Sequence, residues 1–260
     1  MNRMREKKIW GITVGTNVTT SQQGVAFADQ YEGIFATVGY HPEHLTSSFK
    51  DEGEPHDEQA FDIDLIAAVA KSGSRKIVAI GETGLDFYRI DEGRDIEEAT
   101  QMQEFALKEH INLADELDLP LVIHCRDAFG RLATVIQTKQ NEGKKVHGVI
   151  HCFTGTWEEA KPLIDLGFHL SFTGIITFPP KKTDDPSRSI HRTIEKAPAD
   201  RILVETDAPW LTPLPYRGKR NESTHVEYVA QKIAELRHAS LEDVARQTTQ
   251  NAIELFRLPV

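Results

Sequence analysis

Residues 76–86, KIVAIGETGLD, set the interpretation of the whole chain. An apolar, partly β-branched run ends there at Gly81, and Glu82 follows at once. Such a pattern is typical of a buried strand that gives way to a loop. Three later stretches have the same form and contain a metal-binding residue at the same place: PLVIHCRDA with His124, HGVIHCFTG with His151, and RILVETDAPW with Asp207. In parallel α/β proteins, this edge of the sheet carries the chemistry.

The spacing of these four residues fits an α/β barrel. The successive steps from Glu82 to Asp207 are roughly 42, 27 and 56 residues. A (β/α)₈ barrel has about 31 residues per strand–helix unit, so the steps correspond to about one, one and two units. The double step predicts an additional strand, and residues 169–178, HLSFTGIITF, supply it. A length of 260 residues also suits one barrel, so we expect a single domain over residues 1–260.

Strand-like runs alternate with stretches of helical periodicity along the chain. Seven runs are found: Lys8–Thr16, Ile34–Tyr40, Lys76–Glu82, Pro120–Cys125, Val146–Cys152, His169–Ile175 and Arg201–Asp207. The predicted fold is therefore an α/β barrel of the TIM type, with seven of its eight strands visible.

The clearest helix is predicted from about Glu97 to Leu117. His110 is expected to be an ordinary helix residue, and the expected apolar face consists of Met102, Phe105, Ala106, Leu113 and Leu117. Asp127 directly precedes the helical segment AFGRLATVIQ and is expected to cap it. A last amphipathic helix is predicted over Leu241–Leu258.

Composition and charge exclude several classes of function. A formal net charge of −10 argues against a protein that coats long duplex DNA, but it permits an enzyme that captures one or two phosphates through metals. No apolar run approaches the about 20 residues of a membrane span, and the start MNRMREKK lacks the apolar core of a signal peptide. Cys125 and Cys152 are too few for a disulfide framework. We expect a soluble, cytoplasmic protein.

Two histidines, a glutamate and an aspartate at corresponding strand ends indicate a divalent metal site. Carboxylate and imidazole ligands suit Zn²⁺, Mg²⁺ or Mn²⁺, and we expect one or two ions per chain. The candidate ligands are Glu82, His124, His151 and Asp207. A metal that activates water makes such a protein a hydrolase, with Asp207 as the candidate acceptor of the proton of that water. Glu205, two residues earlier on the same side of its strand, is predicted to support the site.

Two segments carry candidate contacts to substrate. His41 and His44 follow the second visible strand in GYHPEH. His41 is expected at the mouth of the barrel, where it contacts phosphate or protonates a leaving oxygen. Arg217 and Lys219 lie in the loop RGKRNE after the last strand and are predicted to clamp phosphate.

A third segment, Asp86-Phe87-Tyr88, follows Glu82 closely. Asp86 and the two aromatic residues are expected to form a wall of the pocket. Stacking of a nucleobase on one of the aromatic rings is left open.

The segments GETGLDFY, VIHCRDA, HCFTGT, SFTGIITF and ETDAPWLTPLPYRGKRNE, in this order, closely resemble the TatD-type metal-dependent deoxyribonucleases. The resemblance extends from about Lys7 to the C-terminus. It implies a TIM barrel that hydrolyses phosphodiester bonds of DNA with divalent metal, often from 3′ to 5′ at single-stranded ends. It also implies that His124 and His151 bind metal, that Glu82 binds metal and can bridge two ions, and that Asp207 binds metal or the attacking water.

One motif of that family is absent from this sequence. TatD-type enzymes begin with a strand that ends in His-x-His, whereas no histidine precedes His41 here. The opening RMREKKIWGITVGT resembles the end of a first helix followed by a second strand. We therefore expect a shortened form of an eight-stranded enzyme, with at most one tightly bound metal and poor activity.

Two other interpretations remain open. A metal-dependent amidohydrolase that cleaves a small amide or ester would use the same ligands, but no lysine ends a strand where such enzymes usually carry one. A truncated, inactive barrel would bind without catalysis. A panel of small amides tested beside an oligonucleotide would distinguish the amidohydrolase from a nuclease. Measurement of the metal content would distinguish the inactive barrel from an enzyme.

Overall fold

The computed structural model describes residues 1–48, 60–179, 186 and 189–259. Their strands are β1 (Gly11–Thr13), β2 (Ile34–Val38), β3 (Ile77–Asp86), β4 (Leu121–Arg126), β5 (Gly148–Ile150), β6 (His169–Phe172) and β7 (Ile202–Val204). Their helices are α1 (Asn2–Glu6), α2 (Val18–Ala28), α3 (Glu43–Thr46), α4 (Ile63–Ala70), α5 (Ile96–Leu117), α6 (Phe129–Asn141), α7 (Trp157–Asp165), α8 (Ile190–Lys196), α9 (Val226–Arg237) and α10 (Leu241–Phe256). Each of the seven predicted runs overlaps one strand, which confirms the strand predictions.

The chain divides into two compact units, Gly11–Val149 and Met1–Trp10 with Ile150–Val260. In the unit Gly11–Val149, strands β1 to β4 are parallel and neighbour one another in chain order. Every residue of β2 and β3 is buried. Parallel strands joined by helices are covered on both faces, which is why these strands are apolar runs without alternation.

The pairing of β3 with β4 positions the candidate site in this unit. The strand continues past Glu82 to Asp86, and its register to β4 shifts between Ile80 and Thr83. The sequence-based end of the strand at Glu82 was therefore too early. Such a bulge re-aims the side chains beside it. Gly84 then pairs with His124 so closely that a Cβ would lie 1.9 Å from the carbonyl oxygen of that histidine, and its φ of +146° also requires glycine.

Helix α5 confirms the predicted helix and part of its predicted buried face, since Ala106 and Leu113 are buried but Met102 is exposed. An N-cap at Asp95, whose side chain accepts from the backbone N–H of Glu98, starts the helix at Ile96. Phe105 is exposed, whereas the polar residues Gln103 and His110 are fully buried. The hydrophobic pattern failed here because these two polar side chains have specific partners, described below.

The predicted cap of α6 was wrong. Its N-cap residue is Ala128, without a side-chain hydrogen bond. Asp127 is exposed and has a φ of +55°, a left-handed conformation that aspartate tolerates better than most residues.

In the unit made of residues 1–10 and 150–260, β6 and β7 pair in parallel, with Leu170 opposite Ile202. The predicted last helix is confirmed as α10. Its buried Asn251 donates to the carbonyl oxygens of Ala199 and Ile202, both at 2.8 Å, and so fixes the helix to the start of β7. None of the helices in the described part of the chain is long and apolar enough to span a membrane.

Candidate metal centre

Three candidate side chains come together, one from the segment that follows β2 and one each from within β3 and β4. Ligand atoms of His41, Glu82 and His124 all lie within 4.8 Å of one another. Glu82 Oε1 is 3.4 Å from His41 Nε2 and 3.3 Å from His124 Nδ1. Over residues 1–48, 60–179, 186 and 189–259, no other group of three or more such side chains is placed to hold an ion.

Asp86 determines which nitrogen His124 presents to this group. The Nε2–H of His124 donates to Asp86 Oδ2 at 2.8 Å. The other carboxylate oxygen accepts from the backbone N–H groups of Tyr88 and Arg89. When the ring is neutral, its proton is on Nε2, and the lone pair of Nδ1 points towards Glu82, as in metal-binding histidines.

This placement differs from the one predicted for Asp86. Its carboxylate was expected to line the substrate pocket, but the side chain is 1% exposed and both oxygens are engaged. A buried, fully hydrogen-bonded carboxylate orients its neighbour rather than contacting a substrate.

The charges around His124 favour a cation. Burial opposes the imidazolium form, but the hydrogen bond to Asp86 and the negative charge of Glu82 outweigh it and raise the pKa of His124 to about 9. Burial also opposes the charge of Asp86, yet the hydrogen bond from His124 keeps the pKa of that carboxyl below its usual value. Two carboxylates that stabilise a positive charge at this point suit a divalent ion equally well.

His41 presents a different nitrogen from that of His124. The backbone N–H of Glu43 donates to its Nδ1 at 3.3 Å, so the neutral ring carries its proton on Nε2. That Nε2–H faces Glu82 Oε1. The backbone N–H of His41 donates to the carbonyl oxygen of Thr16 at 2.7 Å, which fixes the chain at this position. The geometry thus favours His41 as a proton donor over His41 as a ligand.

The two buried polar residues of α5 hold the backbone near these side chains. Gln103 Oε1 accepts from the N–H of Asp86 at 2.8 Å, and its Nε2 donates to the carbonyl oxygen of Asp86 at 2.9 Å. His110 Nε2 accepts from the N–H of Tyr40 at 3.1 Å, and its Nδ1–H donates to the carbonyl oxygen of Ala106 at 2.7 Å. Sequence reasoning missed both residues. Their seven-residue spacing on one helix face was the available signal.

The unit that contains residues 150–260 holds a second histidine oriented by a carboxylate. The Nδ1–H of His151 donates to Glu205 Oε2 at 2.6 Å, and Glu205 Oε1 accepts from the backbone N–H of Cys152 at 2.6 Å. The opposite nitrogen of the ring, Nε2, is 3.4 Å from Asp207 Oδ1. Glu205 therefore leaves the Nε2 lone pair directed towards a second carboxylate.

Asn221 holds the loop that carries Asp207. Its amide nitrogen donates to the carbonyl oxygens of Thr206 at 2.8 Å and Trp210 at 2.6 Å, on either side of Asp207. Asp207 itself has a φ of +53°, so the loop needs such support. Asn221 is buried and was also missed from the sequence, because the loop atoms that it holds are backbone carbonyl oxygens.

Of the residues predicted to contact substrate, Arg217 and Lys219 are exposed and His44 is half-buried. The Arg217 guanidinium lies 4.2 Å from the centre of the Phe178 ring, and Lys219 Nζ lies 5.8 Å from that of Tyr216. Both cations are exposed, and neither forms a salt bridge with a carboxylate among the described residues. His44, on α3, has its ring edge-to-face with Tyr40 at 5.7 Å and with His41 at 6.1 Å.

Known proteins resemble this chain over most of its length. The model of the family described as TatD related DNase matches residues 1–257. The chain belongs to this family. YabD of Bacillus subtilis strain 168, named as an uncharacterized metal-dependent hydrolase, is 36% identical over 95% of this chain and 87% of its own length. A Pantoea protein named 3′-5′ ssDNA/RNA exonuclease TatD is 33% identical over 98% of this chain and 91% of its own length.

A solved structure shows the same fold. The TatD homologue YjjV of Escherichia coli K12 superposes with a TM-score of 0.78 at 27% identity and covers 95% of this chain and 86% of its own. The α/β fold of the TIM-barrel type, predicted from the strand spacing, is confirmed. By family, the chain is a metal-dependent hydrolase of the TatD type.

Proposed function

We propose that this TatD-family protein is a nuclease that hydrolyses phosphodiester bonds of single-stranded DNA from the 3′ end. One observation carries the proposal: two histidines, His124 and His151, each donate one ring N–H to a carboxylate and direct the other nitrogen at an acidic side chain. Metal sites are built in this way. The name of the Pantoea relative, a 3′-5′ ssDNA/RNA exonuclease, supports the choice of substrate.

The donor set fits divalent metal. Nitrogen from His124 and oxygen from Glu82, with nitrogen from His151 and oxygen from Asp207, are ligand types that suit Zn²⁺ or Mn²⁺, and the carboxylates also suit Mg²⁺. We propose that Glu82 and His124 in one unit, and His151 and Asp207 in the other, bind metal, with one or two ions per chain. Bound metal supplies an activated water at neutral pH and stabilises the charge that develops on the phosphate oxygens.

Two of the side chains are proposed to move protons. The Asp207 carboxylate is partly exposed and faces His151 Nε2, so it can accept the proton of the attacking water. His41 carries its proton on Nε2, as the hydrogen bond from Glu43 requires, and is proposed to donate it to the leaving oxygen. Glu82, next to that proton, keeps the ring of His41 oriented.

The cations after β7 are proposed to hold the substrate. Arg217 and Lys219 are exposed and without a carboxylate partner among the described residues, so their charge is available for phosphate. His44 is proposed to contact the same strand from α3.

Cleavage of an end-labelled single-stranded oligonucleotide tests the proposal. The protein is treated with EDTA and then given Mg²⁺, Mn²⁺ or Zn²⁺. We expect a ladder of products shortened from the 3′ end, no cleavage in EDTA, and slower cleavage of blunt duplex. If none of the three metals supports cleavage, or if a panel of small amides and esters is hydrolysed instead, the proposal is wrong.

A further inference from the structure

An exposed aromatic ring is stacked against a cation beside the His124 group. Tyr88 is 60% exposed, and the Arg126 guanidinium lies 3.7 Å from the centre of its ring. One face of the ring is thus covered by the cation, while most of the side chain remains open to solvent. Exposure of an aromatic ring to water is unfavourable in free energy. A ring held in this way can therefore stack with a second flat group.

Both residues are fixed to the group that orients His124. The backbone N–H of Tyr88 donates to Asp86 Oδ1 at 2.9 Å, and the N–H of Phe87 donates to the carbonyl oxygen of Arg126 at 3.0 Å. Asp86 is also the register partner of Arg126 in the β3–β4 pair. Arg126 follows His124 by two residues in β4, so strand alternation places their side chains on one side.

The charge of Arg126 has no ion-pair partner among the described residues. Arg126 is half-buried, and none of the described carboxylates forms a salt bridge with it. In a chain with a formal net charge of −10, a cation without such a described partner beside the candidate metal group is suited to an anionic ligand.

We propose that Tyr88 and Arg126 bind one nucleotide of a single strand, with the base stacked on the open face of Tyr88 and the adjacent phosphate on Arg126. The inference rests on the proposed nuclease function and adds how the strand is recognised. Every base has a π face, so stacking is tolerant of sequence. In a duplex the base faces are covered by their neighbours, so the same contact selects single strands.

Binding measured without catalysis tests the pair. In EDTA, fluorescence anisotropy gives the Kd of the full chain for a labelled oligothymidylate and for an abasic strand of equal length and charge. We expect Tyr88→Leu to raise the Kd for oligothymidylate about 5- to 100-fold, the range of one base–aromatic stack. Tyr88→Phe, which keeps the ring, stays close to the wild type, and neither variant changes the Kd for the abasic strand. Arg126→Met weakens binding to both strands and reduces the dependence on salt.

Phe105→Leu is the matched control, because Phe105 is also 60% exposed but lies on α5. It leaves both Kd values unchanged. If Tyr88→Leu behaves like Phe105→Leu while the wild type still cleaves the oligonucleotide, the stacking site is wrong and the nuclease proposal stands. If the wild type binds base-containing and abasic strands equally, the stacking site is also wrong. A wild type that binds as predicted but cleaves nothing supports the binding site and overturns the nuclease.

Discussion

His124 and His151 have the same hydrogen-bond pattern in two different surroundings. Each ring donates one N–H to a carboxylate, Asp86 or Glu205, and directs its other nitrogen at a second carboxylate. His124 is held through Nε2 and His151 through Nδ1, so the two rings present opposite nitrogens. The pattern is a property of the chemistry rather than of a particular rotamer, because either nitrogen of imidazole can serve.

The surroundings of the two carboxylates differ. Asp86 is buried, and the side-chain amide of Gln103 forms hydrogen bonds with both its backbone N–H and its carbonyl oxygen. Glu205 is 22% exposed by side chain and is held by one backbone N–H, that of Cys152. The first arrangement is rigid and suits a ligand that must not move. The second is open to water, which suits a neighbour, Asp207, that is proposed to exchange protons during turnover.

Removing the Glu82 carboxylate should cause the largest loss of activity. Glu82→Ala is expected to lower oligonucleotide cleavage by about 1,000-fold or more, because Glu82 is proposed to act directly on the ion. Metal content by mass spectrometry and turnover are measured together. Glu104→Gln is the matched control, since Glu104 is as buried as Glu82 but pairs with Lys108 on α5 and Arg131 on α6. A Glu82→Ala protein that retains full metal and turnover would contradict the site.

Substitution of His41 distinguishes a proton donor from a metal ligand at this position. If His41 is a proton donor, His41→Gln lowers turnover about 100- to 10,000-fold but leaves metal content unchanged. If it is a ligand, metal is lost together with activity. His191→Gln serves as the control, because His191 donates to the carbonyl oxygen of Ile176 and lies in the other unit. Loss of metal from the His41 variant would reverse the role assigned to its ring.

Acid should weaken the backbone contact beside His41 and spare the loop of Asp207. The backbone N–H of Tyr40 is held by His110, which can be protonated, whereas the loop of Asp207 is held by Asn221, which cannot. Burial lowers the pKa of His110 to about 4 from 6.5, although its hydrogen bond to Ala106 opposes that shift. Between these pH values the unfolded chain binds more protons than the folded one. The stabilisation is therefore complete above pH 6.5 and is lost as pH falls, by about 3 kcal/mol in all.

Urea unfolding of the wild type and of His110→Gln from pH 7 to pH 4 measures this loss. The variant should be less stable at pH 7 by about 1 kcal/mol, because a fitted hydrogen bond to Tyr40 is replaced by a poorer one. Its stability relative to the wild type should then improve steadily as the pH falls, since the carboxylates of both proteins titrate alike. A difference that stays constant with pH would show that His110 is not the titrating group.

Sequence alone predicted the strands and the four candidate ligands, because both depend on local signals. An apolar run followed by glycine or a polar residue is typical of the end of a buried strand, and this rule gave Glu82, His124, His151 and Asp207. The positioning residues were not found by it. Gln103 bonds a residue 17 positions away and His110 one that is 70 positions away, and each partner is a backbone group that no residue type announces. For the same reason, the predicted buried face of α5 omitted Gln103 and His110.

The smallest predicted effect tests the comparison itself. In Asp86→Asn, Oδ1 can still accept from the backbone of Tyr88, so the amide nitrogen must face His124 Nε2. Two donors cannot face each other, and the ring proton moves to Nδ1, where it blocks a metal. Glu205→Gln imposes the same reversal on His151. Each change should weaken metal binding about 10- to 100-fold in calorimetric titration with Mn²⁺ or Zn²⁺.

Because the side chain of Glu205 is more exposed than that of Asp86, water can replace its contact with His151, and Glu205→Gln should show the smaller loss of metal affinity. Equal losses would mean that burial of the orienting carboxylate does not matter, and a loss confined to Asp86→Asn would remove His151 from the set of ligands.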